Sequence, residues 1–328
     1  MRVTVLGAGS WGTALTILLA RNGHDVTLLG RESEETDALR SCRENLRYLP
    51  GFLLPENVVV VTGDSVLEPC DMWVVAVPSG AVRHTAGLVH GEDPCVVVAS
   101  KGLESGSSAL LTTVCKEALP RARIGCISGP NLAVEIAKGI PTAAVTAFAD
   151  LETAEFAARA FNCRTFRVYL SQDVIGVGLA GALKNVLAIA AGMSDGLGFG
   201  DNTKGALLAR GLREMTLLGM AMGARMETFM GIAGVGDLFA TAVSTLSRNY
   251  RVGVYLGEGR PLTEALREIG QVAEGVPTSE CSSVLARQHQ VAMPVFDGTE
   301  AVIRERLRPQ DAVAMLMERQ PKTEGLLS

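Results

Sequence analysis

Residues 7–12 read Gly-Ala-Gly-Ser-Trp-Gly. The spacing is GxGxxG, and its setting limits the fold more than any other stretch of the chain. It follows a β-branched run at 3–6 and opens an apolar helical pattern at 11–22; a second strand-like run at 25–29 completes a βαβ unit. In that setting Gly7 permits the turn, Gly9 lets the backbone approach a pyrophosphate, and Gly12 lets helix pack on strand. The helix start, with Ser10 and Trp11, presents N–H groups and the positive end of its dipole to the phosphates. The chain holds 36 glycines in 328 residues, so the string alone says little. The strand before it and the helix behind it carry the reading against that of a bare glycine-rich turn.

The βαβ pattern continues. Strand-like runs recur at 58–61, 72–77, 96–100, 124–128, 143–146 and 166–168, and helical patterns fill 81–89, 107–119, 132–138 and 151–161. Short, continuous, β-branched runs belong to strands covered on both faces. The alternation predicts an α/β fold with a Rossmann-type, doubly wound, mainly parallel sheet. After residue 170 helical periodicity takes over, at 173–191, 204–222, 251–258, 262–269, 279–287, 299–305 and 309–317, with 192–202 (GMSDGLGFGDN) read as a loop. The expected organisation is a dinucleotide-binding domain over 1–170 and an all-α substrate-binding domain over 171–328, with the active site in the cleft between them.

Composition narrows the function. Thirty basic and 35 acidic residues leave a net charge of −5 with no basic block, which argues against a nucleic-acid or anionic-membrane partner. Seven cysteines, an odd number without a CxxC, read as reduced thiols of a cytoplasmic protein. The motif at Gly7 leaves no room for a signal peptide. Residues 174–193 are apolar enough to mimic a membrane span, but Lys184 and Asn185 sit at the centre. A charge there costs roughly 2.5–3.5 kcal/mol on insertion scales, so a buried core helix is predicted. The four histidines lie at no metal-ligand spacing and no GxSxG is present, which leaves metal enzymes and hydrolases unsupported.

The residues able to do chemistry are few. Only six of the 30 basic residues are lysines, and lysine, unlike arginine, can exchange a proton. Lys184 in an apolar helix is either a general acid–base group tuned by burial or a salt-bridged structural lysine. Lys101 closes a strand where open α/β sheets bind ligands, and is either a polarising cation or a surface residue. Ser247-Arg248-Asn249 precedes a helix pattern and suits a phosphate or carboxylate, or is an ordinary cap with a surface arginine. Asp237, after Gly-Val-Gly, reads by itself as a cap. After the second strand Arg31 occupies the place that selects the ribose: pairing with a 2′-phosphate there favours NADP, Glu32 beside it keeps NAD open, and a solvated surface arginine is the third reading.

Taken together these segments resemble the bacterial-type NAD(P)-dependent glycerol-3-phosphate dehydrogenase family. The matches are GAGSWGTAL (7–15), VPS (77–79), SKGLE (100–104), SGPNLAVEIAKGIPTA (128–143), GALKN (181–185), SDGLGFGDNTKGALLARGLREM (194–215), GIAGVGDL (231–238), SRN (247–249) and VAEGVPT (272–278). The resemblance implies interconversion of sn-glycerol 3-phosphate and dihydroxyacetone phosphate with NADP(H) or NAD(H). It makes Lys184 the proton acceptor and donor, with Lys101 and Asp237 beside it in the chemistry. Lys101, Gly129, Asn131, Lys184, Asp237, Thr241, Ser247, Arg248 and Asn249 would bind substrate. Gly7, Gly9, Ser10, Trp11, Gly12, Arg31, Lys101, Ala133, Arg248, Val272 and Glu274 would bind cofactor. It also implies a cytoplasmic homodimer, no metal, and a role in phospholipid synthesis. Asn131-Leu132, Gly80 and Gly205 depart from the family pattern. The competing enzyme reading is a dehydrogenase of a 3-hydroxy acid or a sugar-phosphate acid. A dinucleotide-sensing regulator without turnover is the reading from another class.

Overall fold

The computed structural model describes residues 1–31, 34–63, 65–318 and 325. The chain divides into two compact units, Met1–Lys101 with Leu111–Val174, and Gly102–Leu110 with Ile175–Ser328. A single cut after residue 170 therefore misses the short excursion at Gly102–Leu110. Leu103 and Leu110 form an isolated antiparallel bridge, and both sit in the core of the second unit.

In the first unit the strands are β1 (Arg2–Leu6), β2 (Asp25–Leu29), β3 (Glu44–Asn45), β4 (Leu49–Leu53), β5 (Val58–Val61), β6 (Met72–Val75), β7 (Cys95–Val98), β8 (Arg123–Ser128), β9 (Thr142–Ala147) and β10 (Phe166–Ser171). Eight of them make one sheet in the order β10-β9-β8-β7-β6-β1-β2-β5. All its pairs are parallel except β8 with β9, where Ile127 faces Thr146 in an antiparallel register. β6 (MWVV) and β7 (CVVV) are buried at every position, as a sheet covered on both faces requires. The chain runs from β1 outward through β2 to β5, then returns to β6 on the other side of β1. That reversal is the topological switch point where such sheets bind ligands at their carboxyl ends.

The helices of this unit are α1 (Ser10–Arg21), α2 (Glu34–Cys42), α3 (Val82–Ala86), α4 (Leu111–Ala118), α5 (Ala133–Lys138) and α6 (Leu151–Phe161). Leu15, Ile17, Phe148 and Phe161 join Val3, Leu28 and Val74 in its core. The hairpin β3–β4 and the helix α2 give almost no pattern in the sequence. β3 is two residues long, and α2 is a highly charged segment that buries only Thr36 and Leu39.

The second unit holds α7 (Val174–Gly196), α8 (Asp201–Ala221), α9 (Met226–Met230), α10 (Asp237–Ala242), α11 (Arg248–Gly257), α12 (Leu262–Ile269), α13 (Gly275–Gln288), α14 (Pro294–Ile303) and α15 (Pro309–Met317), with a π-helical turn at Ile232–Gly236. α7 is long and apolar enough to cross a membrane, and 83% of its most apolar window is buried inside the protein. Leu183, Val186 and Leu187 of this helix meet Met215, Phe229 and Phe296 in the core.

The loop expected at 192–202 is mostly helix. α7 runs on to Gly196 and α8 begins at Asp201, leaving four residues between them. The glycines that suggest a break serve a close helix crossing instead. A β-carbon on Gly192 would lie 2.0 Å from the Tyr250 carbonyl oxygen, and one on Gly253 2.0 Å from that of Ile189. Gly196 and Gly257 repeat the contact one turn on, against Val254 and Met193. Backbone thus packs on backbone where α7 crosses α11, a fit only glycine allows.

Glu214 of α8 is buried, and its carboxylate accepts from the N–H groups of Val295 (3.1 and 2.9 Å) and Phe296 (3.3 Å) at the start of α14. Burial pushes it up to about 7 against the pull of those donors. A carboxyl that holds its proton more tightly when folded stabilises most below its unfolded pKa, and that contribution is lost as pH rises through the folded value. Between pH 5 and pH 8 the wild type should therefore lose up to about 3 kcal/mol through this group. Glu214→Gln should remove that part of the slope in urea unfolding at the two pH values; identical slopes would refute the assignment.

Candidate active site

β1 delivers the chain into Gly7, whose φ is +118°. A β-carbon there would strike the Ala76 carbonyl oxygen at 2.7 Å, and one on Gly12 would lie 1.9 Å from the Gly7 carbonyl oxygen. Gly9 has no neighbour within 4 Å of such a position. Two glycines are thus required for packing, and the third faces open space, which is the cradle a pyrophosphate needs. Gly9 is the N-cap of α1 and supplies no side-chain cap; the first helical bond runs from Thr13 N–H to the Gly9 carbonyl at 2.9 Å. The N–H groups of Ser10, Trp11 and Gly12 precede that ladder, as anion-binding helix starts do. These features fit a dinucleotide cofactor. The Trp11 indole is tied down, donating to the Ala99 carbonyl at 2.9 Å. Arg31 follows β2 and is exposed; Glu32 lies outside the described residues.

Three further candidates follow strand ends of the same sheet. Beyond β7, Ser100 donates to the Val77 carbonyl (2.6 Å), and Lys101 Nζ to the Gly129 carbonyl (2.9 Å). Lys101 therefore bridges the ends of β7 and β8 and is not a loose surface residue. Gly129 has no room for a side chain, with the Ala143 carbonyl oxygen 2.7 Å from a β-carbon. Asn131 donates from Nδ2 to that same oxygen at 3.0 Å, while its Oδ1 is buried with no partner. Such an acceptor costs about 1–3 kcal/mol unless something donates to it. Ala133 opens α5 and packs on the core. Gly80 and Gly205 both face open space, so neither departure from the family pattern is imposed by packing.

In the second unit Lys184 lies in the middle of α7, 6% exposed. Its Nζ donates to Asp237 Oδ1 at 2.7 Å and to Thr241 Oγ1 at 2.6 Å, and Thr241 donates to the same carboxylate oxygen at 3.2 Å. Asp237 is 1% exposed. The π-helical turn explains its placement: the Gly236 N–H closes on the Gly231 carbonyl five residues back, at 3.2 Å. The widened turn starts α10 with Asp237 facing Lys184. Asp237 is therefore the lysine's charge partner and not a simple cap. Lys184 is buried and salt-bridged at once.

Asn185, the next residue, accepts at Oδ1 from Asn249 Nδ2 at 2.9 Å, and Asn249 Oδ1 accepts from the Gly275 N–H at 2.9 Å. This chain joins α7, the first turn of α11 and the start of α13. Ser247 is the N-cap of α11, its Oγ accepting from the Tyr250 N–H at 3.2 Å. Burial pushes the Arg248 guanidinium down, and the Glu274 carboxylate opposes that shift. A half-buried guanidinium at a helix start suits an anion. Glu274 caps α13, and Val272, two residues before it, is half exposed.

Two features escaped the sequence reading. In the sequence Asn185 reads only as a polar neighbour of Lys184, and its place in an apolar helix is the available signal. Asp195 accepts from the Tyr250 hydroxyl at 2.5 Å and pairs with Lys204 at 2.7 Å, which ties α11 to the end of α7 and the start of α8. No periodicity marks that cluster. Among the described residues no group of three His, Cys, Asp or Glu side chains is placed to hold a metal ion.

Comparison with known proteins agrees over the whole chain. It is 45% identical over 326 residues to a protein of Desulfitobacterium hafniense named NAD(P)+ glycerol-3-phosphate dehydrogenase, covering 98% of this chain and 93% of the other. A protein of the same name from Moorella thermoacetica is 45% identical over 327 residues, at 98% and 96% coverage. The crystal structure of glycerol-3-phosphate dehydrogenase from Coxiella burnetii superposes with a TM-score of 0.93 at 38% identity, covering 97% of this chain and 99% of that one. Residues 2–154 match the family model described as NAD-dependent glycerol-3-phosphate dehydrogenase N-terminus, and residues 173–314 match its C-terminus. The chain belongs to the NAD-dependent glycerol-3-phosphate dehydrogenase family.

Proposed function

We propose that the protein is an NAD(P)-dependent oxidoreductase that interconverts sn-glycerol 3-phosphate and dihydroxyacetone phosphate. The observation that carries this reading is the buried Lys184 ammonium, held by Asp237 and Thr241 at 2.7 and 2.6 Å. When bound, the nicotinamide supplies or takes up the hydride at C2. In the reductive direction Lys184 gives a proton to the C2 oxygen; in the oxidative direction it takes the proton back. Asp237 compensates the lysine's charge, and Thr241 fixes its direction. Lys101, held at the ends of β7 and β8, contributes an ammonium to cofactor and substrate binding.

The phosphate is held by Arg248, with Ser247 and Asn249 as neutral donors at the start of α11. Gripping this remote group orients C2, so that its binding energy lowers the barrier. Gly129 lets the backbone approach the substrate, and the buried Oδ1 of Asn131 accepts from a ligand donor. On the cofactor side Gly7, Gly9, Ser10, Trp11 and Gly12 form the pyrophosphate loop; Ala133, Val272 and Glu274 contribute further contacts, and Arg248 serves both ligands. Arg31 pairs with a ribose 2′-phosphate and favours NADP(H).

The protein further works as a cytoplasmic homodimer that supplies glycerol 3-phosphate for phospholipid synthesis. Support for self-association comes from Val235, Phe239 and Val243, which recur at helical spacing on and beside α10 and are exposed. Oxidation of NADPH and NADH, followed at 340 nm, tests the reaction. Oxidation that depends on dihydroxyacetone phosphate and is absent with hydroxypyruvate is the expected result. The ratio of the two cofactor rates reads out Arg31. Cofactor binding without any such oxidation would overturn the substrate.

A further inference from the structure

The hairpin β3–β4 is an addition that a βαβ unit does not need, and it packs on α1 and α5. It is firmly built. Leu49 is fully buried in the core. Arg43 donates to the carbonyls of Pro55 (2.5 Å) and Val58 (3.1 Å), and Glu44 accepts from the Gly51 N–H at 2.7 Å. From this platform one buried side chain, Asn45, reaches the glycine loop. Its Nδ2 donates to the Ala8 carbonyl at 2.9 Å and to Thr13 Oγ1 at 2.7 Å, and its Oδ1 accepts from the Tyr48 N–H at 3.1 Å.

The Ala8 carbonyl matters because of what lies across its peptide bond. A trans peptide is planar, with C=O and N–H pointing in opposite directions. Holding the Ala8 oxygen toward the hairpin therefore aims the Gly9 N–H away from it. Backbone bonds fix the loop at its ends, from the Gly7 N–H to the Leu29 carbonyl and from the Thr13 N–H to the Gly9 carbonyl, both 2.9 Å. Gly9, on one side of this peptide, has no β-carbon and leaves its φ freer than any other residue would.

We propose that Asn45 is a positioning residue for the dinucleotide: by holding the Ala8 carbonyl it sets the Ala8–Gly9 peptide in the orientation that binds the pyrophosphate. The proposal rests on the cofactor reading of this loop. Asn45 acts through the Ala8–Gly9 peptide, so its effect falls on cofactor affinity.

The test is NADPH binding to the full chain, followed by the fluorescence of the bound dinucleotide, with thermal unfolding recorded beside it. Asn45→Ala should raise the Kd about tenfold and leave kcat at saturating NADPH within twofold of wild type. Asn45→Asp keeps the size and the acceptor for Tyr48 but turns an acceptor toward Ala8, and should weaken binding at least as much. Thr13→Val deletes the other bond of the same amide and leaves the Ala8 bond in place. It should lower thermal stability and keep the Kd within twofold. If the asparagine variants bind NADPH like wild type, or if Thr13→Val weakens binding equally, Asn45 is only a prop of the hairpin and the proposal is overturned. If the wild type binds neither NADPH nor NADH, the cofactor reading itself fails.

Discussion

Lys184→Ala should lower kcat by about 10²–10⁴-fold, the range typical of losing a positioned proton-transfer group. NADPH binding, in which Lys184 is given no part, should stay within a few-fold of wild type. The alanine variant carries a second defect, because Asp237 is 1% exposed and would lose the Lys184 ammonium that faces it. Breaking a buried pair from one side costs about 3–5 kcal/mol, so stability has to be measured with turnover. Lys184→Arg separates the two effects. Arginine keeps the positive charge beside Asp237 but does not give up a proton in this pH range. It should recover much of the stability and little of the turnover. Near-normal kcat in either variant would remove Lys184 from the chemistry.

Arg248→Ala is the second large effect, with a different signature. Hydrogen bonds to charged groups contribute about 1.5–3 kcal/mol each, which is about 10- to 100-fold per bond. The KM for dihydroxyacetone phosphate should rise by about that factor, with a smaller fall in kcat. Arg248→Lys keeps the charge but loses the planar fork, and should lie between alanine and wild type. An unchanged KM in the alanine variant would exclude Arg248 from the phosphate site.

Much of this was legible in the sequence because it follows from local rules. The eight sheet strands stand out because strands covered on both faces are apolar throughout, as β6 and β7 are. The glycine loop stands out through its context, and Ser247 through the preference of helix starts for a short hydroxyl side chain. What was not legible depends on contacts distant in sequence. Asp237 reads as a cap until a π-helical turn aims it at Lys184, 53 residues away. Residues 192–202 read as a loop because glycine is penalised in helices by about 1 kcal/mol each, and no local rule says that a second helix needs the space. The hairpin carrying Asn45 buries too little to leave a periodic trace, yet its amide bonds to Ala8, 37 residues earlier.

The glycine crossing of α7 and α11 has a meaning for substrate choice. Main chain rests on main chain at Gly192, Gly196, Gly253 and Gly257, so no flexible side chain cushions the joint. The lysine on one helix and the arginine at the head of the other are consequently held at a set spacing, like the jaws of a fixed gauge. With Lys184 and Arg248 in their proposed roles, a substrate engages both only if the distance from its phosphate to its reacting carbon matches that spacing. On that proposal chain length is measured by the scaffold itself, and a homologue longer by one methylene should fill one jaw and miss the other.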